Sequence, residues 1–160
     1  MSAPMQIVIL EDNAERRRLM RDAIVDRFPQ YDLRFFITAG EAIAHLRENY
    51  DTLLAIVLDH DLDLIPVDGH RLIDPGSGRD VADFLATQPV VCPIVIHTTN
   101  GPAAVGMETV LHDAGWKTYR VIPVGEFKWI PKLWLQTVRN AIVESVNRFE
   151  PLSNVSSGTV

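Results

Sequence analysis

The sequence predicts an α/β domain built on a five-stranded parallel sheet with helices on both faces. Short apolar runs alternate with amphipathic helical stretches, and the alternation occurs five times along the chain. Polar residues follow several of these runs directly. Such alternation is typical of parallel sheets, because a connection between parallel strands must cross the sheet and is usually a helix.

The predicted strands are apolar runs short enough for strands and too short for helices. They are QIVIL (6–10), LRFFI (33–37), LLAIVL (53–58), PIVIH (93–97) and YRVIPV (119–124). With a strand order of 2-1-3-4-5, the first, third and fourth strands are neighbours. Ligands of open parallel sheets bind outside the carboxyl ends of such strands.

The predicted helices show apolar residues at helical spacing and recognisable ends. They cover 14–28, 38 to about 49, 78–88, 103–115 and 131–149. Asp12 or Asn13 can cap the first helix, and Pro29 ends it. Thr38 and Glu41 are three residues apart, which is the spacing of a capping box at the start of the second helix.

The chain has the size and composition of one soluble domain. Its 160 residues are 47% apolar and 22% charged, and the net charge is −6, so the whole chain carries no nucleic-acid signature. We expect a domain over 1–149 and a flexible tail over 150–160, with a Gly/Pro/Asp-rich loop at 63–78 of the kind that often serves as a lid. No signal peptide or membrane-length apolar run is visible, which predicts a cytoplasmic protein without a membrane partner. The single cysteine, Cys92, excludes an internal disulfide.

Charged side chains are concentrated where the strands end. The first predicted strand is followed by Glu11 and Asp12, the third by Asp59, and the fourth ends at His97 and Thr98. If these strands are neighbours, the carboxylates converge, and such a cluster persists when a divalent cation neutralises it. Oxygen ligands favour Mg²⁺, so we predict a Mg²⁺ site, or a site for another divalent cation, made by the three carboxylates.

Glu11, Asp12, Asp59 and Thr98 together resemble the response-regulator receiver domain, which has a flavodoxin-like (CheY-like) fold. The resemblance extends over roughly residues 5 to 148. It implies that Glu11 and Asp12 hold Mg²⁺ with Asp59, that Asp59 accepts a phosphoryl group, and that Thr98 contacts that group.

The sequence departs from receivers in two ways. Receivers carry a lysine before a proline after the fifth strand, whereas Ile122 precedes Pro123 here and Lys128 comes several residues later. The segments LDHDL and IHTTN instead resemble a receiver-related branch that processes cyclic phosphates, which implies that His60 and His97 are reactive. Both histidines also have a purely structural interpretation, at an exposed loop and at a buried strand end.

Two function classes remain open on the sequence. The first is a metal-dependent phosphoesterase in which Asp59, His60, His97 and Thr98 act on a phosphate-bearing small molecule or an RNA end. The second is a phosphorelay receiver that a histidine kinase or phosphotransfer protein phosphorylates on Asp59.

Two further groups of residues each have two interpretations. The arginines at 16, 17, 18 and 21 are a solvated helix face or an anion patch. The apolar residues of the last helix are core or a homodimer surface, and they are Trp129, Trp134, Leu135, Val138 and Ile142.

Overall fold

The computed structural model describes residues 3–149. In chain order its elements are β1 (Gln6–Leu10), α1 (Ala14–Val25), β2 (Asp32–Phe36), α2 (Ala39–Glu48), a 3₁₀ turn (Tyr50–Thr52), β3 (Leu53–Leu58), β4 (Ile65–Val67), β5 (Arg71–Ile73), α3 (Gly78–Leu85), β6 (Ile94–His97), α4 (Gly101–Asp113), β7 (Thr118–Val121), a π-helix (Ile130–Trp134) and α5 (Leu135–Phe149). The main sheet is parallel, in the order β2-β1-β3-β6-β7. Since β6 and β7 are the predicted fourth and fifth strands, this confirms the flavodoxin-like order 2-1-3-4-5.

The two central strands are buried on both faces. Every residue of β1 and β3 is buried, and alternate residues enter opposite cores because side chains alternate across a strand. Val8 and Leu10 pack in the layer that contains α2, α3 and α4, whereas Ile7 and Ile9 pack in the layer that contains α1 and α5. This sandwich fixes the strand ends, and with them the polar residues that follow.

The predicted caps start the first two helices. The Asn13 side chain accepts a hydrogen bond from the Arg16 amide at 2.9 Å, and the Thr38 hydroxyl accepts one from the Glu41 amide at 3.2 Å. Several predicted ends are wrong by a few residues. The helices α1 and α3 end at Val25 and Leu85 because their last turns tighten into short i→i−3 bonds, as at Arg27 and Thr87.

The fifth strand is also shorter than predicted. It was expected to run over 119–124, but β7 ends at Val121. Its ladder partner, β6, ends at His97, which is paired with Val121 in the last register position. Beyond that pair the backbone has no neighbouring strand to bind.

The segment 63–78 contains a small hairpin rather than an irregular loop. β4 and β5 pair antiparallel, and the three-residue loop between them, Asp68, Gly69 and His70, has positive φ angles of 53° at Asp68 and 72° at Gly69. Gly and, less often, Asp adopt positive φ more readily than other residues, so Asp68-Gly69 is a signal for a short hairpin loop. The sequence carried this signal, and the prediction of an irregular loop was wrong.

The last helix begins with a π-helical turn. The Trp134 amide donates to the Trp129 carbonyl at 3.0 Å, five residues back, and Pro131 has no amide to donate. The apolar side chains predicted as core or dimer surface are all buried within the chain: Trp129, Trp134, Leu135, Val138 and Ile142. Their burial supports the core interpretation.

The remaining sequence predictions concern the tail, a membrane-spanning helix and the cysteine. The predicted tail, 150–160, lies outside the described residues. Within residues 3–149, none of the helices combines the length and the apolar content needed to cross a membrane. Cys92 is a free thiol in the core.

Candidate functional site

Three neighbouring strands end at one buried polar cluster. Glu11 follows β1, Asp59 follows β3 and His97 ends β6, and one ligand atom from each of these side chains lies within 4.8 Å of the others. Glu11 and His97 are fully buried, and Asp59 is 6% exposed. Of the three carboxylates predicted to converge, the structure brings Glu11 and Asp59 together, and His97 is the third member of the cluster.

Glu11 is held as an ionised carboxylate. Its Oε2 atom lies 2.9 Å from His97 Nε2, and its Oε1 atom accepts a hydrogen bond from the Asn13 amide at 2.9 Å. Burial raises the pKa of Glu11, but the hydrogen bond and attraction of His97, the Asn13 amide and the charge of Arg16 outweigh it. The pKa of Glu11 consequently lies below its ordinary value, so negative charge persists in the buried site.

Asp59 is affected in the opposite direction. Its Oδ1 atom accepts a hydrogen bond from the His60 amide at 2.7 Å. Burial raises the pKa of Asp59 to about 6, and the nearby Glu11 charge adds to this, although His97 and Arg16 act against it. When two buried carboxylates lie this close, their negative charges repel each other, and a bound cation reduces that repulsion.

Arg16 is the cation of the site, and the sequence did not single it out. Its Nη1 atom lies 3.6 Å from Glu11 Oε2 and 3.8 Å from Asp59 Oδ2. Its guanidinium lies over the Trp129 ring, 5.4 Å from the centroid. Of the basic run, Arg18 fits the solvated face and pairs with Glu15 and Asp22, whereas Arg16 turns inward.

His97 has one nitrogen without a partner. Its Nε2 atom faces Glu11, whereas its Nδ1 atom is buried and makes no hydrogen bond within residues 3–149. Its ring lies 5.6 Å from the Trp129 ring, centroid to centroid. Buried polar atoms are normally satisfied, so an orphaned imidazole nitrogen at a strand end indicates a site for a ligand or a water molecule.

Asp12 lies outside this cluster. Its Oδ2 atom accepts a hydrogen bond from the Asp63 amide at 2.6 Å, so the carboxylate is turned toward the hairpin segment. Burial raises the pKa of Asp12, and the charges of Glu11 and Asp63 add to it. The metal set predicted from the sequence was Glu11, Asp12 and Asp59, whereas the structure groups Glu11 and Asp59 with His97. A ligand role for Asp12 stays a prediction.

A second cluster of polar residues lies at the same edge of the sheet, nearer to solvent, and we call it the rim. His60 Nδ1 lies 2.8 Å from Asp61 Oδ1, and Asn100 Nδ2 donates to Asp61 Oδ2 at 3.3 Å. The hydroxyl of the buried Thr98 accepts the Asn100 amide at 3.1 Å. A carboxylate at Nδ1 favours the tautomer whose Nε2 is basic, so His60 is oriented as a base.

Gly78 fixes the backbone beneath this rim. Its amide donates to the His60 carbonyl at 3.0 Å. A Cβ atom at Gly78 would lie 2.0 Å from the Asp59 carbonyl oxygen, a distance that no side chain can occupy. The start of α3 therefore packs directly on the Asp59–His60 segment, and only glycine permits this approach.

The receiver lysine has no counterpart at its expected place. Ile122 precedes Pro123, and Lys128 is exposed in the segment that follows. Within residues 3–149, the cation that pairs with Asp59 is Arg16, and Lys128 forms no ion pair. Positive charge therefore reaches Asp59 from α1.

The side chains of the cluster fit a divalent cation. Two carboxylates and one imidazole converge, they are buried, and His97 Nδ1 is unpartnered. An imidazole ligand suits first-row metals such as Fe²⁺ and Zn²⁺, carboxylates suit Mn²⁺ as well as Mg²⁺, and Mg²⁺ is bound almost entirely through oxygen. This differs from the all-oxygen set on which the Mg²⁺ prediction was based.

The fold and the acidic strand ends define a receiver-type α/β domain. The model of the family described as the cyclic-phosphate processing receiver domain matches residues 6–113, which is more than half of the chain. The chain belongs to this family of receiver domains, as the resemblance predicted. No curated protein matches the sequence.

Solved receivers share the fold at low sequence identity. The phosphorylated cyanobacterial phytochrome response regulator RcpA aligns with a TM-score of 0.66 and 17% identity over 89% of this chain and 96% of that one. The Mn²⁺-bound form of response regulator Rcp1 gives 0.59 and 20%, over 84% and 96%. A receiver domain from Rhodospirillum rubrum gives 0.58 and 21%, over 84% and 94%. These likenesses concern the fold.

Proposed function

We propose that this domain is a metal-dependent phosphoesterase that opens a cyclic phosphate. The observation that carries the proposal is the imidazole of His97 inside the buried carboxylate cluster, 2.9 Å from Glu11. The family description, cyclic-phosphate processing receiver, supports the same reaction class. A carboxylate–imidazole cluster beside a second, rim histidine offers both a cation site and a base at one edge of the sheet.

The side chains can be given roles that balance the reaction. Water attacks phosphorus, the new P–O bond forms, and one ring P–O bond breaks. His60, oriented by Asp61, takes the proton of the attacking water at Nε2 and returns a proton to the leaving ester oxygen. Arg16 stabilises negative charge on the phosphoryl oxygens, and the Thr98 hydroxyl donates to one of them.

Glu11, Asp59 and His97 are the residues that would hold the cation. A bound divalent cation supplies a Lewis acid at the phosphoryl oxygens and lowers the pKa of a coordinated water. Because one donor is nitrogen, we propose a first-row metal ahead of Mg²⁺, and among these Mn²⁺, because two of the three donors are carboxylates, which suit it. The Mn²⁺-bound Rcp1 structure supports Mn²⁺ as compatible with this fold.

Hydrolysis of adenosine 2′,3′-cyclic phosphate tests the proposal. The wild type is assayed with Mn²⁺ and with EDTA, beside His97→Gln and the matched control His112→Gln, whose side chain bonds Thr118 on the surface. We expect Mn²⁺-dependent ring opening that falls by about 10²-fold or more in His97→Gln and is unchanged in His112→Gln. Ring opening at equal rates in wild type and His97→Gln would contradict the proposal, provided that circular dichroism shows both folded.

A phosphorelay receiver is the second candidate. The position of Asp59 at the carboxyl end of the central strand β3, with the buried Thr98 after β6, favours it. In that case acetyl phosphate with Mg²⁺ or Mn²⁺ should add one phosphoryl group that Asp59→Asn abolishes, and a histidine kinase or phosphotransfer protein would be the donor partner. An intact-mass adduct without cyclic-phosphate hydrolysis selects this candidate, and hydrolysis without an adduct selects the esterase.

A further inference from the structure

An open cavity of about 470 Å³ lies beside the site, between the segment after β7 and the π-helix. Its lining residues come from these two segments and from β7, and they are Arg120, Ile122, Val124, Lys128, Trp129, Lys132 and Leu133. Trp129 is shared with the site, since its ring contacts His97 and the Arg16 guanidinium. Trp129 therefore borders both the cavity and the candidate site.

The lining is strongly basic in an acidic protein. It contains Arg120, Lys128 and Lys132, and it includes no carboxylate. Within residues 3–149, none of these three cations forms an ion pair, whereas Lys117, the remaining lysine, pairs with Glu144. The net charge of the protein is −6, so three cations without ion-pair partners around one cavity are a local concentration of positive charge that suits an anion.

The same cavity has an apolar surface. Ile122, Val124 and Leu133 are 51%, 69% and 49% exposed, which is unusual for three large aliphatic side chains in one place. Apolar area bordered by cations suits ligands that alternate flat bases with phosphates, because bases need a desolvated surface and phosphates need charge. An inorganic anion would use only the cations.

Two of the lining residues lie on the π-helical turn. The π-helical turn Ile130–Trp134 carries both Lys132 and Leu133, and such turns are frequent at functional sites. At the other end, Arg120 approaches Gly101, where a Cβ atom would lie 3.6 Å from its Nη2 atom. Gly101 starts α4 directly after Asn100, so the basic lining reaches the rim that holds Thr98 and Asp61.

We propose that this cavity binds the nucleotides that precede a terminal cyclic phosphate, so that the substrate is the end of a ribo-oligonucleotide. The inference rests on the proposed function for the location of the terminal phosphate. A mononucleotide would place its only phosphate at the strand ends, beside Arg16, and would leave Arg120, Lys128 and Lys132 without anions to bind. Successive phosphodiesters of a strand supply those anions.

The test is equilibrium binding of a 5′-fluorescein pentaadenylate ending in a 3′-phosphate, which cannot be turned over, with adenosine 3′-monophosphate as the short competitor. The wild type is compared with the double variant Lys128→Gln/Lys132→Gln and with the control Arg139→Gln, an exposed cation on α5. We expect the double variant to bind on the order of tenfold more weakly at 0.1 M salt. Its log–log salt slope should fall by about 1.4, since each phosphate of a single strand contributes about 0.7.

The outcomes separate this inference from the proposed function. Tight pentanucleotide binding that depends on the two lysines, together with no ring opening, would keep the subsite and reject the esterase. The inference is overturned if the pentanucleotide binds no more tightly than the mononucleotide. It is also overturned if the double variant and Arg139→Gln bind the pentanucleotide equally to the wild type, with the same salt slope.

Discussion

Asp59 shows how one residue links the site to the stability of the chain. In the folded state its pKa is about 6, against an ordinary value of 3.8. The folded state therefore holds a proton on Asp59 at pH values where the unfolded state has lost it. The free energy of unfolding is highest below about pH 4 for this group and falls as pH rises through about 6, by roughly 3 kcal/mol in all.

We expect Asp59→Asn to stabilise the metal-free domain at neutral pH. Asparagine resembles the protonated carboxyl, so the variant avoids the cost of a buried charge. In EDTA, urea unfolding near pH 7.5 should show a gain of about 2–3 kcal/mol, and the gain should shrink steadily between about pH 6 and 4. The exposed Asp51→Asn is the control and should show no such gain. A gain of the same size at every pH would contradict the assignment.

Gly78 and Gly40 provide a matched pair of substitutions. Alanine at Gly78 places Cβ 2.0 Å from the Asp59 carbonyl oxygen, whereas nothing lies within 4 Å of a Cβ at Gly40. We expect Gly78→Ala to lower the free energy of unfolding by about 2–3 kcal/mol and Gly40→Ala, in α2, to leave it unchanged or raise it by up to about 1 kcal/mol. Chemical denaturation measures both, and equal effects would show that α3 does not press on Asp59.

At the residue scale, the sequence predicted which edge of the sheet carries the site residues. It did not predict in which direction their side chains turn. Glu11, Asp59 and His97 could be assigned to one edge because each follows an apolar run that becomes a neighbouring strand. The turn of Asp12 toward Asp63 and of Arg16 toward the cluster depends on local side-chain geometry that no periodicity encodes. Arg16 lies five residues after Glu11 in a cluster of four arginines, and nothing in the sequence distinguished it from the others.

At the scale of elements, the hairpin segment is tied to the site at both of its ends. The Asp63 amide donates to Asp12 Oδ2 at 2.6 Å before β4, and the Gly78 amide donates to the His60 carbonyl after β5. The Ala39 amide also donates to the Pro75 carbonyl at 2.8 Å, which joins the segment to α2. Asp12 therefore acts in this structure as an anchor for the hairpin.

We expect Asp12→Ala to loosen the hairpin without unfolding the sheet. Removal of the acceptor frees the Asp63 amide, so amide exchange across 63–76 should become at least several-fold faster while β1 and β3 stay protected. Hydrogen–deuterium exchange with mass spectrometry measures both regions. Asp22→Ala, an exposed change on α1, is the control. Unchanged exchange across 63–76 in Asp12→Ala would show that the Asp12–Asp63 bond does not hold the segment.

Element types were easier to predict than element details. Long periodic stretches predicted the five α-helices of residues 3–149, and caps such as Asn13 and Thr38 predicted where α1 and α2 begin. The β4–β5 hairpin was missed although Asp68-Gly69 signalled it, because three-residue strands carry almost no periodicity. The π-helical start of the last helix contains Pro131, which lacks an amide, and the buried Trp134, and apolar periodicity alone does not distinguish such a turn from an α-helix.

At the scale of the whole molecule, the fold places the candidate site at one edge of the sheet. The strand order was predictable because alternating strands and helices restrict the topology to a few arrangements, and this order brings β1, β3 and β6 together. The position of the basic cavity in this acidic protein was not predictable from the sequence. A net charge of −6 gave no sign of the basic cavity lined by Arg120, Lys128 and Lys132, because these three residues are separated by apolar and acidic residues in the sequence and meet only through the turn after β7.

We expect Mn²⁺ to stabilise the whole domain through this edge. A ligand that binds only the native state at one hundred times its dissociation constant adds about 2.7 kcal/mol, or roughly 5–10 °C in the melting temperature of a domain of this size. Differential scanning fluorimetry should show this rise for the wild type and little or none for Glu11→Gln. Mg²⁺ at the same concentration controls for screening of the net charge and should give a smaller rise. Equal shifts with both cations, retained in Glu11→Gln, would indicate screening alone.

Pulsed electron paramagnetic resonance of the Mn²⁺-loaded protein tests the central claim most directly, because it detects nitrogen bound to the metal. The claim is that Glu11, Asp59 and His97 hold one cation together. We expect one bound Mn²⁺ with a nitrogen coupling that disappears in His97→Gln and persists in His112→Gln. A Mn²⁺ site without nitrogen coupling in the wild type, or with the same coupling in His97→Gln, would contradict the claim.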